Sequence, residues 1–305
     1  MRLVTLAPAK VNLVLRVGPP RRDGFHDVLS LMVPLDLADT VEVTVRERAG
    51  GVTCRVPGRP DLDGEENLAA RAALLVKERF ARPNAVAIRI VKRIPVTAGL
   101  GGGSSDAAAV IRALARAFRI RDAAALAALA AELGSDVPFF LGPGAAWARG
   151  RGERLAEAAV PPLDLVLVYP EDPALAIRAG EAYRWLDERR AGRKVSIPTR
   201  VGRWRPATLA NDLEGPCLEK HPVLSTLLGW LVGAGATKAI MSGSGPTVFG
   251  LFRTRVEARG AARVIARMAV SPTVKVISVR TVRRQPRVTP WKSPRSASSP
   301  STRRS

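Results

Sequence analysis

A glycine-rich segment between a strand-like run and a helical run constrains the fold of this chain more than any other feature. Residues 95–106 read Pro-Val-Thr-Ala-Gly-Leu-Gly-Gly-Gly-Ser-Ser-Asp. These glycines permit φ > 0 and leave out the Cβ atoms that would keep a ligand away from the backbone. We expect Ser104 or Ser105 to cap the helix that follows. The unpaired N–H groups and the positive end of the helix dipole at that helix start favour the binding of a phosphate chain.

The spacing of the glycines differs from that of the commoner glycine motifs. No lysine follows them, as a Gly-x-x-x-x-Gly-Lys-[Ser/Thr] loop would require. A Gly-x-Gly-x-x-Gly pattern that starts at Gly99 would end on Ser104. A flexible hinge is the alternative interpretation, but three consecutive glycines cost backbone entropy that a simple connection does not need.

Strand-like and helix-like runs are interspersed along the chain without strict alternation, which favours an α+β fold over a doubly wound sheet. Alternating or β-branched runs predict strands at 41–46, 85–91, 164–169, 246–252 and 274–280. Apolar residues at helical spacing predict helices at about 66–80, 104–118, 122–133, 177–190, 222–233 and 255–269. A proline-rich break at 160–163 predicts two domains, 1–160 and 161–280.

The formal net charge of +21 is high enough to raise the question of nucleic-acid binding. Aromatic residues make up only 5% of the chain, and the densest basic cluster is at its end. Residues 281–305 are rich in Pro, Ser and Arg and contain no acid, so we expect a disordered basic tail there. Binding of nucleic acid is expected only non-specifically, through this tail.

The composition also limits location and metal chemistry. No apolar run reaches the length of a membrane span, so no membrane association is expected. Cys54 and Cys217 lie far apart and lack metal-ligand spacing, which suits the reducing cytoplasm. Two histidines are too few for a histidine-based centre, so no protein metal site is predicted.

Three segments in order resemble the motifs of the GHMP kinases, the family of galactokinase, homoserine kinase, mevalonate kinase and phosphomevalonate kinase. They are residues 7–13 (Ala-Pro-Ala-Lys-Val-Asn-Leu), residues 95–106, and residues 241–249 (Met-Ser-Gly-Ser-Gly-Pro-Thr-Val-Phe). The resemblance covers roughly residues 1–280. It implies a ribosomal-protein-like N-terminal domain, a ferredoxin-like C-terminal domain, and use of ATP with Mg²⁺. The chain is expected to be a monomer or a homodimer.

Two further segments resemble one branch of that family. Residues 23–26 (Asp-Gly-Phe-His) and 134–140 (Gly-Ser-Asp-Val-Pro-Phe-Phe) are similar to kinases of a cytidine-diphosphate-linked sugar alcohol in non-mevalonate isoprenoid synthesis. This branch usually has Tyr where the chain has Phe25, and a phenyl ring still stacks on cytosine. The alternatives are another small-molecule kinase of the homoserine or mevalonate type and, with less support, an RNA-binding protein of related fold.

Phosphoryl transfer to a hydroxyl needs a proton acceptor and stabilisation of negative charge. On the resemblance, Asp136 is the candidate base and Lys10 the cation beside it. Asn12 shares the strand face of Lys10, since side chains two residues apart point the same way. The substrate-binding candidates are Asn12, Phe25, His26 and Tyr183.

The remaining candidates surround the nucleotide. Asn67 and Lys92 are expected to border the adenine, and Ser104, Ser105 and Asp106 to help hold phosphates or Mg²⁺. The ATP-binding candidates are Pro95, Val96, Thr97, Ala98, Gly99, Leu100, Gly101, Gly102, Gly103, Ser104 and Ser105.

Overall fold

A computed structural model describes residues 1–193, 195–199, 201–202, 204–268 and 273–291 of the chain. The strands in this part are β1 (Arg2–Pro20), β2 (His26–Ala49), β3 (Val52–Arg55), β4 (Asn84–Val91), β5 (Ala146–Arg149), β6 (Arg154–Glu157), β7 (Asp164–Pro170), β8 (Ala210–Asn211), β9 (Lys238–Met241), β10 (Val248–Phe252), β11 (Val274–Arg280) and β12 (Thr289–Pro290). The helices are α1 (Leu68–Arg79), α2 (Gly102–Phe118), α3 (Ala123–Leu133), α4 (Val137–Leu141), α5 (Ala179–Arg190), α6 (Glu214–Lys220), α7 (Val223–Gly233) and α8 (Arg255–Met268).

The first sheet is built around the long antiparallel pair β1 and β2. Its main path runs β12-β1-β2-β4-β3, while β5 pairs with β2, β6 with β5 and β8 with β1. The register of β1 against β2 shifts between Pro8 and Lys10 and again between Asn12 and Val14. Such irregularities re-aim side chains and often lie next to active sites. Here they flank the two polar residues of the first motif.

The second sheet has four antiparallel strands in the order β11-β7-β10-β9. Along the chain its elements follow β7, helices α5 to α7, β9, β10, α8 and β11, which is the ferredoxin-like arrangement. The predicted α+β fold is therefore confirmed. Each predicted helix and strand has an observed counterpart whose ends differ from the prediction by at most a few residues, apart from the 41–46 run, which is part of the longer β2.

A shared apolar cluster joins the two sheets. Val11 and Leu13 of β1 are packed in the same cluster as Leu165 of β7 and Phe249 of β10, and all four are fully buried. The cluster also contains Leu100 of the glycine-rich segment. This packing holds the glycine-rich segment against both sheets, because a close-packed core leaves little room for a side chain to shift.

The C-terminal segment differs from the prediction of disorder from residue 281 onward. Residues 281–291 lie against the first sheet: β12 pairs with β1, and the Trp291 N–H donates to the Arg2 carbonyl at 3.1 Å. The Arg2 guanidinium lies 3.8 Å from the centre of the Trp291 ring, and Val288 packs against the core. Pairing with a distant strand thus orders residues 281–291, although this segment has few apolar side chains to bury. The rest of the predicted tail, 292–305, lies outside the described residues.

Candidate active site

The predicted catalytic and substrate residues line one cleft of about 600 Å³. The residues of the sequence prediction that contribute to it are Lys10, Asn12, Phe25, His26, Gly99, Gly101, Ser104, Asp136 and Tyr183. Residues 135–136, before helix α4, and Gly243 and Ser244 of the third motif also contribute. Segments from all three sequence motifs therefore converge on the same volume.

The side chain of Lys10 lines this cleft and is nearly buried. Lys10 is only 4% exposed, and its Nζ donates to Asn12 Oδ1 at 2.7 Å and to the Gly99 carbonyl at 3.2 Å. Its third polar neighbour is Asp136 Oδ2 at 3.4 Å. A buried charge without such partners would be strongly destabilising. The arrangement holds a cation beside a carboxylate that is itself partly open to the cleft.

Asn12 is oriented by a residue that the sequence did not single out. Its Nδ2 donates to Ser30 Oγ at 2.8 Å, and that hydroxyl donates to the Val14 carbonyl at 2.9 Å. Ser30 lies on β2 and is buried. With its amide nitrogen satisfied in this way, Asn12 presents its oxygen to Lys10.

The glycine-rich segment leads into α2 through Gly101, which has φ 71° and is the N-cap residue. The predicted cap by Ser104 or Ser105 is wrong, since no side chain caps this helix and both serines lie in its first turn. Ser105 is fully buried and Leu100 is 1% exposed, and neither residue lines the cleft. Leu100 contributes through its carbonyl, which accepts the Lys10 backbone N–H at 2.9 Å.

A second cavity of about 420 Å³ adjoins the cleft. Gly99, Gly101 and Ser104 line both cavities, so the glycine-rich segment forms the boundary between them. The other predicted residues that line the second cavity are Asn67, Lys92, Pro95, Val96, Thr97, Ala98, Gly102, Gly103 and Asp106. Two ligands could thus meet across the backbone of this segment.

Lys92 is committed to two buried carboxylates rather than free to contact an adenine. Its Nζ lies 2.5 Å from Asp39 Oδ2 and 2.7 Å from Asp106 Oδ2. Burial, with Asp39 nearby, raises the pKa of Asp106 to about 7 despite the opposing effect of Lys92. Asp39 also accepts the backbone N–H groups of Arg93 and Ile94. This network fixes the strand end from which the glycine-rich segment departs.

His26 is held by two residues of α5. Its Nε2–H donates to Asp187 at 3.0 Å, and its ring stacks on Tyr183 with centroids 5.1 Å apart. Burial is the main cause that raises the pKa of the Tyr183 hydroxyl. Sequence reasoning missed Asp187, although its position four residues after Tyr183 puts both on one helix face. Phe25 is 47% exposed, and the Arg151 guanidinium lies 4.7 Å from its ring centre.

The third motif closes behind Lys10. An ideal Cβ on Gly243, which has φ 58°, would lie 3.1 Å from Asn12 Oδ1 and 3.3 Å from Lys10 Nζ. Asn211 of β8 donates to the carbonyls of Met241 and Gly243 at 2.9 and 2.8 Å, which fixes this loop. A side chain here would crowd the ammonium and strain the left-handed backbone, so this position favours glycine.

Comparisons with known proteins identify the family of the chain. Residues 67–144 match the model of the GHMP kinases N terminal domain, and residues 200–270 match that of the GHMP kinases C terminal domain. A 4-diphosphocytidyl-2-C-methyl-D-erythritol kinase of Anaeromyxobacter sp. (strain Fw109-5) is 70% identical over 305 residues, with 100% of both chains covered. The chain belongs to the 4-diphosphocytidyl-2-C-methyl-D-erythritol kinases of the GHMP family.

More distant members of the family extend the comparison. The 4-diphosphocytidyl-2-C-methyl-D-erythritol kinase of Deinococcus radiodurans is 40% identical, covering 90% of this chain and 92% of its own. A crystal structure of a 4-(cytidine 5'-diphospho)-2C-methyl-D-erythritol kinase aligns with TM-score 0.73 at 37% identity, over 91% of this chain and 98% of that one. The homoserine kinase of Cytophaga hutchinsonii, at 17% identity and TM-score 0.69, covers 94% of this chain and 97% of its own and shares the fold.

GHMP kinases use ATP, so the chain is an ATP-dependent kinase. Within the part of the chain that the structure describes, none of the helices has the length and apolar character of a membrane span.

Replacing Gly101 tests the position of the nucleotide. In Gly101→Val, the left-handed backbone of a β-branched residue costs at least about 1–2 kcal/mol. The added Cβ would also lie 3.0 Å from the Phe140 ring and 3.1 Å from Lys10 Cγ. We expect ATP, titrated by calorimetry, to bind at least about tenfold more weakly.

The matched control is Gly229→Ala on α7, where an added Cβ meets no atom within 4 Å. We expect this variant to bind ATP as the wild type does. Unchanged ATP affinity in a folded Gly101→Val variant would place the nucleotide elsewhere.

Proposed function

We propose that the chain transfers the γ-phosphoryl group of ATP to the 2-hydroxyl of 4-diphosphocytidyl-2-C-methyl-D-erythritol, a step of isoprenoid biosynthesis. Its full-length similarity to kinases of that name supports this substrate. The observation that carries the proposal is the convergence of Lys10, Asp136, Phe25 and His26 on one cleft beside the glycine-rich segment.

In the proposed reaction the acceptor hydroxyl attacks the γ-phosphorus while the bond to the β–γ bridging oxygen breaks. The hydroxyl proton passes to the Asp136 carboxylate, and ADP leaves with the bond's electron pair. Lys10, 3.4 Å from that carboxylate, stabilises the negative charge that develops on the attacking oxygen. Because Asn12 and Gly99 hold the ammonium in place, it is already positioned before the acceptor binds.

ATP is proposed to occupy the second cavity with its phosphates at the start of α2. Gly103, where an added Cβ would meet no atom within 4 Å, leaves room beside the N–H groups of the first turn. Leu100 supports this segment from the core, while residues 95–99 and 101–104 line the cavity.

Mg²⁺ fits the donors at this helix start. The described residues contain no cluster of three or more His, Cys, Asp or Glu side chains for a metal. Mg²⁺ in phosphoryl-transfer sites commonly uses one or two carboxylates together with substrate phosphates and water. Asp106 Oδ1 is buried without a partner in the described structure, and Ser104 and Asp106 both line the second cavity, so these two residues are the proposed donors. The ion supplies charge neutralisation for the phosphates when bound.

The acceptor's cytosine is proposed to lie between Phe25 and His26. In the tautomer that donates its Nε2–H to Asp187, the other ring nitrogen of His26, Nδ1, accepts a hydrogen bond. Cytosine carries an exocyclic amino group that donates, which matches this nitrogen. Tyr183 supports the imidazole from behind, and Arg151 and Arg184 line the same cleft as cations for the acceptor's diphosphate. The free, buried thiols of Cys54 and Cys217 suit a reducing cytoplasm, where we propose that the enzyme works.

A panel of acceptors tests the substrate directly. A coupled ADP-release assay should show rapid turnover with 4-diphosphocytidyl-2-C-methyl-D-erythritol, because the cleft offers both a stacking ring and the His26 edge. Homoserine and mevalonate carry no base to use these groups and should give only background rates. Efficient turnover of either compound, with none of the cytidyl substrate, would contradict the proposal.

Substitutions in the cytosine pocket test how the acceptor is recognised. His26→Ala should raise the acceptor KM by roughly 2- to 13-fold, since one lost hydrogen bond costs about 0.5–1.5 kcal/mol. Phe25→Ala should cost about 1–3 kcal/mol if the base stacks there, whereas Phe25→Tyr should be tolerated. The ATP KM should stay near the wild-type value throughout, because ATP lies in the adjoining cavity.

The matched control is His221→Ala, which removes the other histidine of the chain; His221 packs against Trp185. Steady-state kinetics with each substrate varied in turn measure the KM of ATP and the KM of the acceptor separately. Equal losses for ATP and acceptor in His26→Ala, or no loss for either, would rule out this placement of the cytosine.

A further inference from the structure

A separate cavity of about 980 Å³ lies between α2 and residues 283–290 of the C-terminal segment. It shares no lining residue with the two cavities of the active site. Five arginines line it, against a single carboxylate, that of Glu157; they are Arg112, Arg116, Arg283, Arg284 and Arg287. We call it the arginine cavity.

The cations of the arginine cavity come from two facing walls. Arg112 and Arg116 belong to α2, and the other three belong to the C-terminal segment. Arg112 is fixed by donation to the carbonyls of Phe140 and Leu6, and Arg116 Nη1 donates to the Val288 carbonyl at 3.0 Å. Burial lowers the pKa of Arg112 to about 10, so this group remains charged at neutral pH. The walls are thus joined, and the cavity is part of the ordered structure.

Several polar groups of the arginine cavity lack partners within the described residues. Arg112 Nε and both polar side-chain atoms of Gln285 are buried and unpaired. None of the ion pairs in the described structure involves Arg283, Arg284 or Arg287. The cavity therefore carries positive charge that no carboxylate of the described structure neutralises through an ion pair, and a bound anion would neutralise it.

We propose that the arginine cavity binds a small molecule that carries a diphosphate or a longer phosphate chain. Guanidinium groups bind phosphate oxygens through paired N–H donors, and two opposed walls of them suit a compact anion of several charges. The described lining has no aromatic side chain for base stacking, which disfavours single-stranded nucleic acid as the occupant.

Inorganic diphosphate is the probe for this site, titrated by calorimetry into the full-length chain with and without saturating ADP. The test variant is Arg283→Gln/Arg287→Gln, in which both replaced residues are exposed. The matched control is Arg259→Gln/Arg263→Gln on α8, which removes the same charge from another exposed surface. We expect diphosphate to bind wild type and control within about twofold, and the test variant about tenfold or more weakly. Basal ADP release should be equal in all three proteins.

Several outcomes would overturn the proposal. If the test variant and the control lose affinity for diphosphate to the same extent, the binding depends only on the net charge of the protein. Absence of diphosphate binding to the wild type, or binding that ADP abolishes, would leave no separate site. A mixed-sequence RNA that binds the wild type better than diphosphate, and loses affinity only in the test variant, would identify a nucleic-acid surface instead. Arg284→Gln provides a second variant of the same wall, with the same expected direction.

Discussion

The burial of one ammonium group organises the candidate active site of this structure. Lys10 is taken out of water in the first sheet, and the energetic penalty for this charge must be offset by nearby polar groups. Those groups come from separate stretches of chain: Asn12 on the same strand, the Gly99 carbonyl in the glycine-rich segment, and Asp136 before α4. Correct placement of three segments is therefore a condition for a stable fold as well as for the proposed chemistry.

The glycines make this convergence sterically possible. An ideal Cβ on Gly99 would lie 2.5 Å from the Ser242 carbonyl oxygen and 2.8 Å from that of Gly245. The second and third motifs are thus in direct backbone contact, and Ser242 Oγ donates to the Gly99 carbonyl at 3.2 Å. A side chain at Gly99 would push apart the two halves of the protein at the point where ATP and acceptor are proposed to meet.

Local sequence predicted the longer helices and five strand segments, because periodic apolar patterns are a local property, but it did not predict the short strands or the short helices α4 and α6. It did not predict the full length of β1 and β2, in which prolines such as Pro8 and Pro34 and the motif residues interrupt the alternation. The candidate site was found from motif residues, yet the residues that orient them were not. Asp187 is 161 positions from His26, and Ser30 meets Asn12 only through strand pairing. The ordering of 281–291 was missed for the same reason, since its partners are at the other end of the chain.

A double-mutant cycle on Lys10→Met and Asp136→Asn tests most directly whether the buried cation and the carboxylate work as one unit. The kcat of each single variant and of the double variant is measured on proteins whose folding has been checked by circular dichroism. When two groups act together in one step, removal of either one abolishes most of the rate enhancement that both provide. The structure therefore predicts that the double variant is no slower than the slower single variant, within about threefold. If the kcat of the double variant falls by the product of the two single-variant losses, the two groups act independently and the joint role is contradicted.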